Sequence, residues 1–520
     1  MRACNGRPCT ENPAEGSAQV ETRFSPNPET PMELCDRPLH ELHQRRLNKE
    51  ISTAEIARSV LERIEQTEER LHSFITLTTE AVPELAAAAD AKLAKGEPLS
   101  PIEGMPLAIK DLFSTRGVET TCGSAILRGF RPPYDATVVK TLKAHGLNLV
   151  GKTNMDEFGM GSSTEASAFG PTRNPWDSTR VPGGSSGGSA SAVSAGQAVA
   201  AIGTDTGGSI RQPAAFTSIV GLKPTYGRVS RYGMIAYASS LDQGGPLARD
   251  VMDAALLLEM IAGHDPRDAT SADRPVPEFS RLTEGDLKGR KIGMVKEFSA
   301  GEGGLDGEVE RSFAANVTAL RDLGADVMEL SLPSLVYATA VYYILAPCEA
   351  SSNLGRYDGV RYGSRAEGAG NVREMFRATR EEGFGKEAKR RIMLGTFALS
   401  AGYYEAYYGR AMKLREVMRA EFREAFAKVD LITCPTSPVP PFKLGEKLAD
   451  PLQMYLLDVF TLPANLAGLP AISLPGGFTQ SGLPLGFQFI ADHFREDLLL
   501  EAAYRFERTS DYHTRRPPLT

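Results

Sequence analysis

The sequence predicts an α/β protein, one large domain with a central mixed β-sheet flanked by helices. Short apolar runs of strand length alternate with longer helical patterns, as at 291–296, 307–323 and 325–331, which is the alternation of layered α/β folds. Runs that read as buried strands occur near both ends of the chain, one ending at Lys110 and others at 471–474 and 484–490, so a single sheet draws both ends together. With 520 residues, 42% of them hydrophobic, and no internal repeat, the chain can bury one substantial core.

Taken in order, residues 1–31 are rich in Pro, Asn, Glu and small polar residues and lack an apolar h-region. They are expected to be a disordered or untranslated extension, with Met32 as the start of the folded domain at 32–515. Ser52-Thr53-Ala54-Glu55 is a capping box that opens a helix to about Arg70. A strand at 73–78, an alanine-rich helix at 81–95, the strand ending at Lys110 and a helix at about 134–145 follow. Beyond the central stretch described below come a helix at 250–263 and a polar connection at 264–289. The region 335–428 reads as mostly helical, 430–435 as a strand, 471–474 and 484–490 as a hairpin-like pair, and 496–507 as the last helix.

Composition narrows the function classes. A net charge of −7 with pI near 5.7 argues against a dominant phosphate-binding surface on this chain. No apolar run reaches the roughly 18 residues needed to span a bilayer. The cysteines at 4, 9, 35, 122, 348 and 434 show no CxxC spacing, which predicts neither zinc nor a disulfide framework and fits a reducing cytoplasm.

Residues 146–153, GLNLVGKT, satisfy the phosphate-loop pattern GxxxxGK[ST]. That mechanism needs a strand, then a glycine-rich loop, then a helix. Here the order is a helix, a capping Gly146, and then Leu-Asn-Leu-Val as the strand itself, so no ATP site is expected.

The chain is organised around residues 174–231. Two clusters, Gly183-Gly184-Ser185-Ser186-Gly187-Gly188-Ser189 and Thr206-Gly207-Gly208-Ser209, bracket a small-residue run that reads as a packed helix leading into a short strand. Glycine pairs let backbone N–H groups face a common space and let a reactant approach closely. A serine ending such a turn has the setting of an activated nucleophile, although a Gly-Gly-Ser word alone also suits an ordinary tight turn. All seven histidines lie outside this stretch, so local sequence suggests no Ser-His pair. Lys110, at the end of an apolar strand, is the alternative base, because desolvation lowers a lysine's pKa. Its other reading is a snorkelling lysine, or one salt-bridged to Asp111.

Lys110, Ser185 and Ser209, with the words around them, resemble the amidase signature family, a Ser-Ser-Lys class of amide hydrolases, and the likeness runs from about residue 36 to 510. The resemblance implies Ser209 as acyl-forming nucleophile, Ser185 as bridging serine preceded by a cis peptide, and Lys110 as base. It places an oxyanion hole at the N–H groups of Thr206, Gly207, Gly208 and Ser209. The words GSIRQP (208–213), LKPTYGRVSR (222–231), EASSN (349–353), RIMLG (391–395) and YYEAYY (403–408) resemble one branch, the glutamine-hydrolysing A subunits of tRNA-dependent amidotransferases. That branch implies a cytoplasmic heterotrimer with subunits B and C. There, ammonia from glutamine serves a partner that activates Glu-tRNA(Gln) with ATP and Mg2+, and this chain itself holds no cofactor or metal.

Free glutamine is zwitterionic, so a selective pocket needs one fixed cation and one fixed anion. The resemblance puts Arg391 and Asp458 in those roles, with Tyr342 as a further contact. Read locally, these are a helix-surface arginine beside Arg390, a helical aspartate and a core tyrosine. A stand-alone amidase would need no such clamp. A non-catalytic scaffold would be expected to lack Lys110, Ser185 or Ser209, and all three are present.

Overall fold

The computed structural model describes residues 32–298 and 304–519, so the expected extension at 1–31 lies outside the described residues. Among the described residues, eleven strands form one sheet: β1 (Phe74–Leu77), β2 (Pro106–Lys110), β3 (Asn148–Thr153), β4 (Ala200–Asp205), β5 (Val220–Lys223), β6 (Gln243–Ala248), β7 (Lys291–Val295), β8 (Asp326–Leu330), β9 (Leu431–Pro435), β10 (Ala471–Phe478) and β11 (Pro484–Ala491). Their order across the sheet is β1-β3-β2-β4-β6-β5-β10-β11-β9-β7-β8. β2 runs parallel to β3 and β4, and β7 to β8 and β9, whereas the remaining pairs are antiparallel. The sheet is therefore mixed, as expected. Its strands do not follow chain order, and β10 and β11 sit in the middle, which makes the two ends of the chain one body.

Most elements follow from local sequence. Ser52 accepts from the Glu55 N–H, and the Glu55 carboxylate accepts from the Ser52 N–H, so the capping box opens helix Thr53–Leu71. The helix expected from about 134 begins at Thr137, because the Ala136 N–H is drawn to the Ser114 carbonyl at 2.7 Å and residue 136 stays extended. The expected hairpin pairs Ala471 with Ile490 and Phe478 with Pro484. β10 runs past the expected end at 474 because a bulge between Pro475 and Gly477 absorbs the proline.

The phosphate-loop word folds by the same local logic. Helix Thr137–Ala144 ends before Gly146, which takes φ +81°, and the chain enters β3 at Asn148. Lys152 lies inside that strand, wholly buried and ion-paired to Asp111 at 2.9 Å. Its ammonium also donates to the Phe113 carbonyl and the Thr120 hydroxyl. The next helical element, Glu157–Gly159, is a 3-10 turn rather than the α-helix that follows a phosphate loop.

Candidate active site

β2 and β4 are adjacent and parallel, so their C-terminal ends, Lys110 and Asp205, lie at the same edge of the sheet. Sheet edges of this kind are where open α/β folds place ligands. After β4 the chain makes the turn 206–209 and enters helix Arg211–Thr217, while helix Gly187–Ser194 begins just beyond Ser185 and Ser186. The Gly184–Ser185 peptide is cis, as the family resemblance implied.

Lys110 is fully buried, and its ammonium donates to three hydroxyls: Ser185 Oγ at 2.8 Å, Ser186 Oγ at 2.9 Å and Thr204 Oγ1 at 2.8 Å. Burial pushes its pKa from 10.5 down to about 7, against the opposing pull of the Asp156, Asp205 and Asp242 carboxylates. The Ser186 N–H donates to the Ser209 carbonyl at 3.2 Å, which fastens the two serine turns together. Asp111, the suspected partner of Lys110, pairs with Lys152 instead.

The turn 206–209 is wedged into place. A Cβ on Gly207 would sit 2.8 Å from the Tyr342 hydroxyl, and one on Gly208, at φ +140°, would overlap Thr461 Oγ1. Only glycine fits either position. Thr461 donates to the Gly207 carbonyl at 2.6 Å, and Thr206 donates to Asp242 at 2.7 Å. Asp205, just before the turn, is gripped by Arg211 at 3.0 and 3.1 Å. Although burial works against ionisation, that guanidinium holds the Asp205 carboxyl down at about 2.

Arg391 and Asp458 are not surface charges. Arg391 is 2% exposed whereas its neighbour Arg390 is exposed, and its guanidinium donates to the Tyr237 hydroxyl at 2.6 Å and to Glu387 at 2.8 Å. It lies over the rings of Tyr237, Tyr343 and Tyr455 at 5.7, 5.2 and 5.5 Å. Asp458 is 6% exposed and accepts from Ser162 Oγ at 2.8 Å and from the Tyr343 hydroxyl at 3.4 Å. Burial pushes its carboxyl up to about 7, opposed by the Ser162 hydroxyl and by Arg391. Tyr343 thus stands between the two charges, while Tyr342 packs edge-on to Tyr343 and closes over Gly207. A cavity of about 530 Å3 is lined by Arg391, Ser162, Asp156 and Tyr455, among others. Ser185, Ser209 and Asp458 are not among its lining residues, which makes it the space next to the serine centre rather than the centre itself.

The structure therefore brings all the sequence-predicted site residues into one neighbourhood. Sequence reasoning missed Ser186, Thr204, Ser162, Tyr237, Tyr343 and Asp242. Ser186 lies within the quoted glycine-serine word, so its hydroxyl was available as a signal, and Tyr343 is adjacent to Tyr342. Thr204 sits two residues before the second glycine-serine cluster, whereas Ser162, Tyr237 and Asp242 come from segments that carry no motif.

A family model described as amidase matches residues 55–500. The chain is 53% identical over 485 residues to the A subunit of glutamyl-tRNA(Gln) amidotransferase from Geobacter metallireducens, covering 93% of this chain and 99% of that one. It is 55% identical over 488 residues to the protein of the same name from Carboxydothermus hydrogenoformans, covering 94% of this chain and 100% of that one. Among solved structures, the A subunit of the Thermotoga maritima amidotransferase is 42% identical with TM-score 0.76 over 94% of this chain and 98% of that one. A 6-aminohexanoate cyclic dimer hydrolase, 28% identical, superposes with TM-score 0.81 over 94% of this chain and 100% of that one. The chain belongs to the amidase signature family of enzymes.

Proposed function

We propose that this chain is the glutamine-hydrolysing subunit of a glutamyl-tRNA(Gln) amidotransferase. It releases ammonia from glutamine, and partner subunits B and C use that ammonia, with ATP and Mg2+, to convert Glu-tRNA(Gln) to Gln-tRNA(Gln) in the cytoplasm. The observation that carries the reading is a buried lysine bonded to the Ser185, Ser186 and Thr204 hydroxyls, in a serine turn fastened to Ser209 by a backbone hydrogen bond, with the buried Arg391 and Asp458 in the same neighbourhood. Identities of 53–55% to proteins named as the A subunits of this amidotransferase support the same reading.

Ser209 Oγ attacks the side-chain carbonyl of glutamine, and its proton passes through Ser185 Oγ to the neutral Lys110 amine. The N–H groups of 206–209 receive the oxyanion, where a fixed donor is worth about 10²–10³ in rate. As the C–N bond breaks, Lys110 returns the proton through Ser185 and ammonia leaves. Water then attacks the acyl-enzyme by the same proton route and glutamate departs. Arg391 holds the substrate carboxylate and Asp458 its ammonium, with Tyr342 as a further contact, so binding energy far from the reacting carbon positions the amide.

Copurification with subunits B and C followed by a glutaminase assay tests the reading. Ammonia release that is abolished by Ser209→Ala supports it. A chain that associates with no partner and prefers simple amides to glutamine would make it a stand-alone amidase.

A further inference from the structure

Ser162, which holds Asp458, and Ser185, which receives the Lys110 hydrogen bond, lie in different loops, and the Gln212 side chain reaches both. Gln212 Oε1 accepts from the Gly184 N–H at 2.9 Å, and Gln212 Nε2 donates to the Ser162 carbonyl at 3.1 Å. Ser162 then turns its hydroxyl to Asp458 at 2.8 Å. Gln212 is wholly buried on helix Arg211–Thr217, the helix that starts just after Ser209. A Cβ on Gly183 would stand 2.5 Å from Gln212 Oε1, so the chain approaches the amide too closely for any other residue there.

From this arrangement we infer that Gln212 is a positioning residue for specificity, fixing the distance between the reacting serines and the Asp458 anion. The inference rests on the reading above, in which Asp458 receives the ammonium of glutamine. Both functional groups of the amide are used at once, the acceptor toward the serine turn and the donor toward the aspartate support. A buried amide with both ends engaged in two separate loops acts as a fixed-length strut. Neither half of that role is taken over by Arg211, whose guanidinium is committed to Asp205, Asn465, Gln488 and the Thr461 carbonyl.

The loop does not depend on this strut for its fold. Asp156 accepts from the N–H groups of Ser163, Thr164 and Ala166, and Thr164 Oγ1 donates to the Gly183 carbonyl. Loss of Gln212 therefore frees the Gly184 N–H and the Ser162 carbonyl, while the Ser162 loop keeps these four hydrogen bonds, one of which, from Thr164 to Gly183, also holds the serine turn. A simple amide that lacks an ammonium makes no use of Asp458, so the strut matters for glutamine and much less for that substrate.

The test uses the assembled complex and compares kcat and KM for glutamine and for a small uncharged amide in wild type, Gln212→Met and Gln212→Asn. Methionine keeps the length without either hydrogen bond, and asparagine keeps the amide but is one methylene too short to span both loops. In either variant we expect the KM for glutamine to rise about tenfold or more, with kcat/KM for the simple amide changing less than about threefold. Combined with Asp458→Asn, Gln212→Met should cost little more for glutamine than Asp458→Asn alone, because both act through one contact. Equal losses on both substrates, or additive losses in the double variant, would overturn the inference and leave the proposed function standing. Wild-type complex that releases no ammonia from glutamine would instead overturn the functional reading, and this inference with it.

Discussion

Lys110 and Lys152 lie on neighbouring parallel strands, both fully buried, and of the two only Lys152 has a carboxylate partner among the described residues. Asp111 neutralises Lys152 at 2.9 Å, whereas the Lys110 ammonium donates to three hydroxyl oxygens. Lys152 is thereby held in an ion pair, while Lys110 is left able to lose its proton near neutrality.

For Lys110 the base is the neutral amine, present above its pKa of about 7 and lost as pH falls through it. Turnover of a simple amide should therefore show a single acid limb near pH 7, with a plateau above. Asp458 must be ionised to hold an ammonium, and its carboxyl is also pushed up to about 7. The kcat/KM profile for glutamine should accordingly fall more steeply on the acid side than that for the simple amide. Parallel limbs for the two substrates would contradict the assignment of Asp458.

Glutamine should acylate Ser209, so Ser209→Ala is expected to abolish ammonia release without altering the fold. Lys110→Ala and Ser185→Ala should each lower the rate by orders of magnitude, and together by far less than the product of the two, because the residues act as one unit. Mass spectrometry of trapped enzyme should find the adduct on the Ser209 peptide. An adduct on a cysteine peptide would contradict this.

Lys152→Ala leaves Asp111 buried without its cation, which typically costs about 3–5 kcal/mol. The expected result is a large fall in Tm, read by calorimetry, with no nucleotide binding to the isolated chain before or after the change. ATP binding by the wild-type chain that vanishes in the variant would restore the phosphate-loop reading.

Gly208→Ala drives a methyl into Thr461 Oγ1 at a backbone angle of φ +140°. The turn must shift, and misplacing an oxyanion donor is expected to lower kcat about 10²-fold, measured in the glutaminase assay. A fully active variant would show that the 206–209 N–H groups are not the oxyanion hole.

The lysine and the two serines were legible because each sits in a word whose composition reports its setting: an apolar strand for Lys110, and glycine pairs for Ser185 and Ser209. Much of the fold was legible for the same reason, since caps and amphipathic runs are local. β5 and β6 were not. Both are buried along their whole length, so VGLK and QGGPLA show no alternation of apolar and polar residues. Arg391 and Asp458 could be assigned only through family resemblance, because a charge on a helix looks solvated until its partners are known. Those partners, Tyr237 and Ser162, lie 154 and 296 residues away along the chain. Gln212 sat in plain view beside Arg211, but nothing local shows that its two ends reach separate loops.

The most direct test of the account is kcat/KM for glutamine and for a small uncharged amide in wild type, Asp458→Asn and Arg391→Ala. Losing a charge-assisted hydrogen bond of about 1.5–3 kcal/mol should reduce glutamine turnover by about ten- to a hundred-fold while sparing the simple amide. An equal loss on both substrates would mean that Arg391 and Asp458 support the fold or the serine centre, and glutamine would no longer be the substrate this site is built to hold.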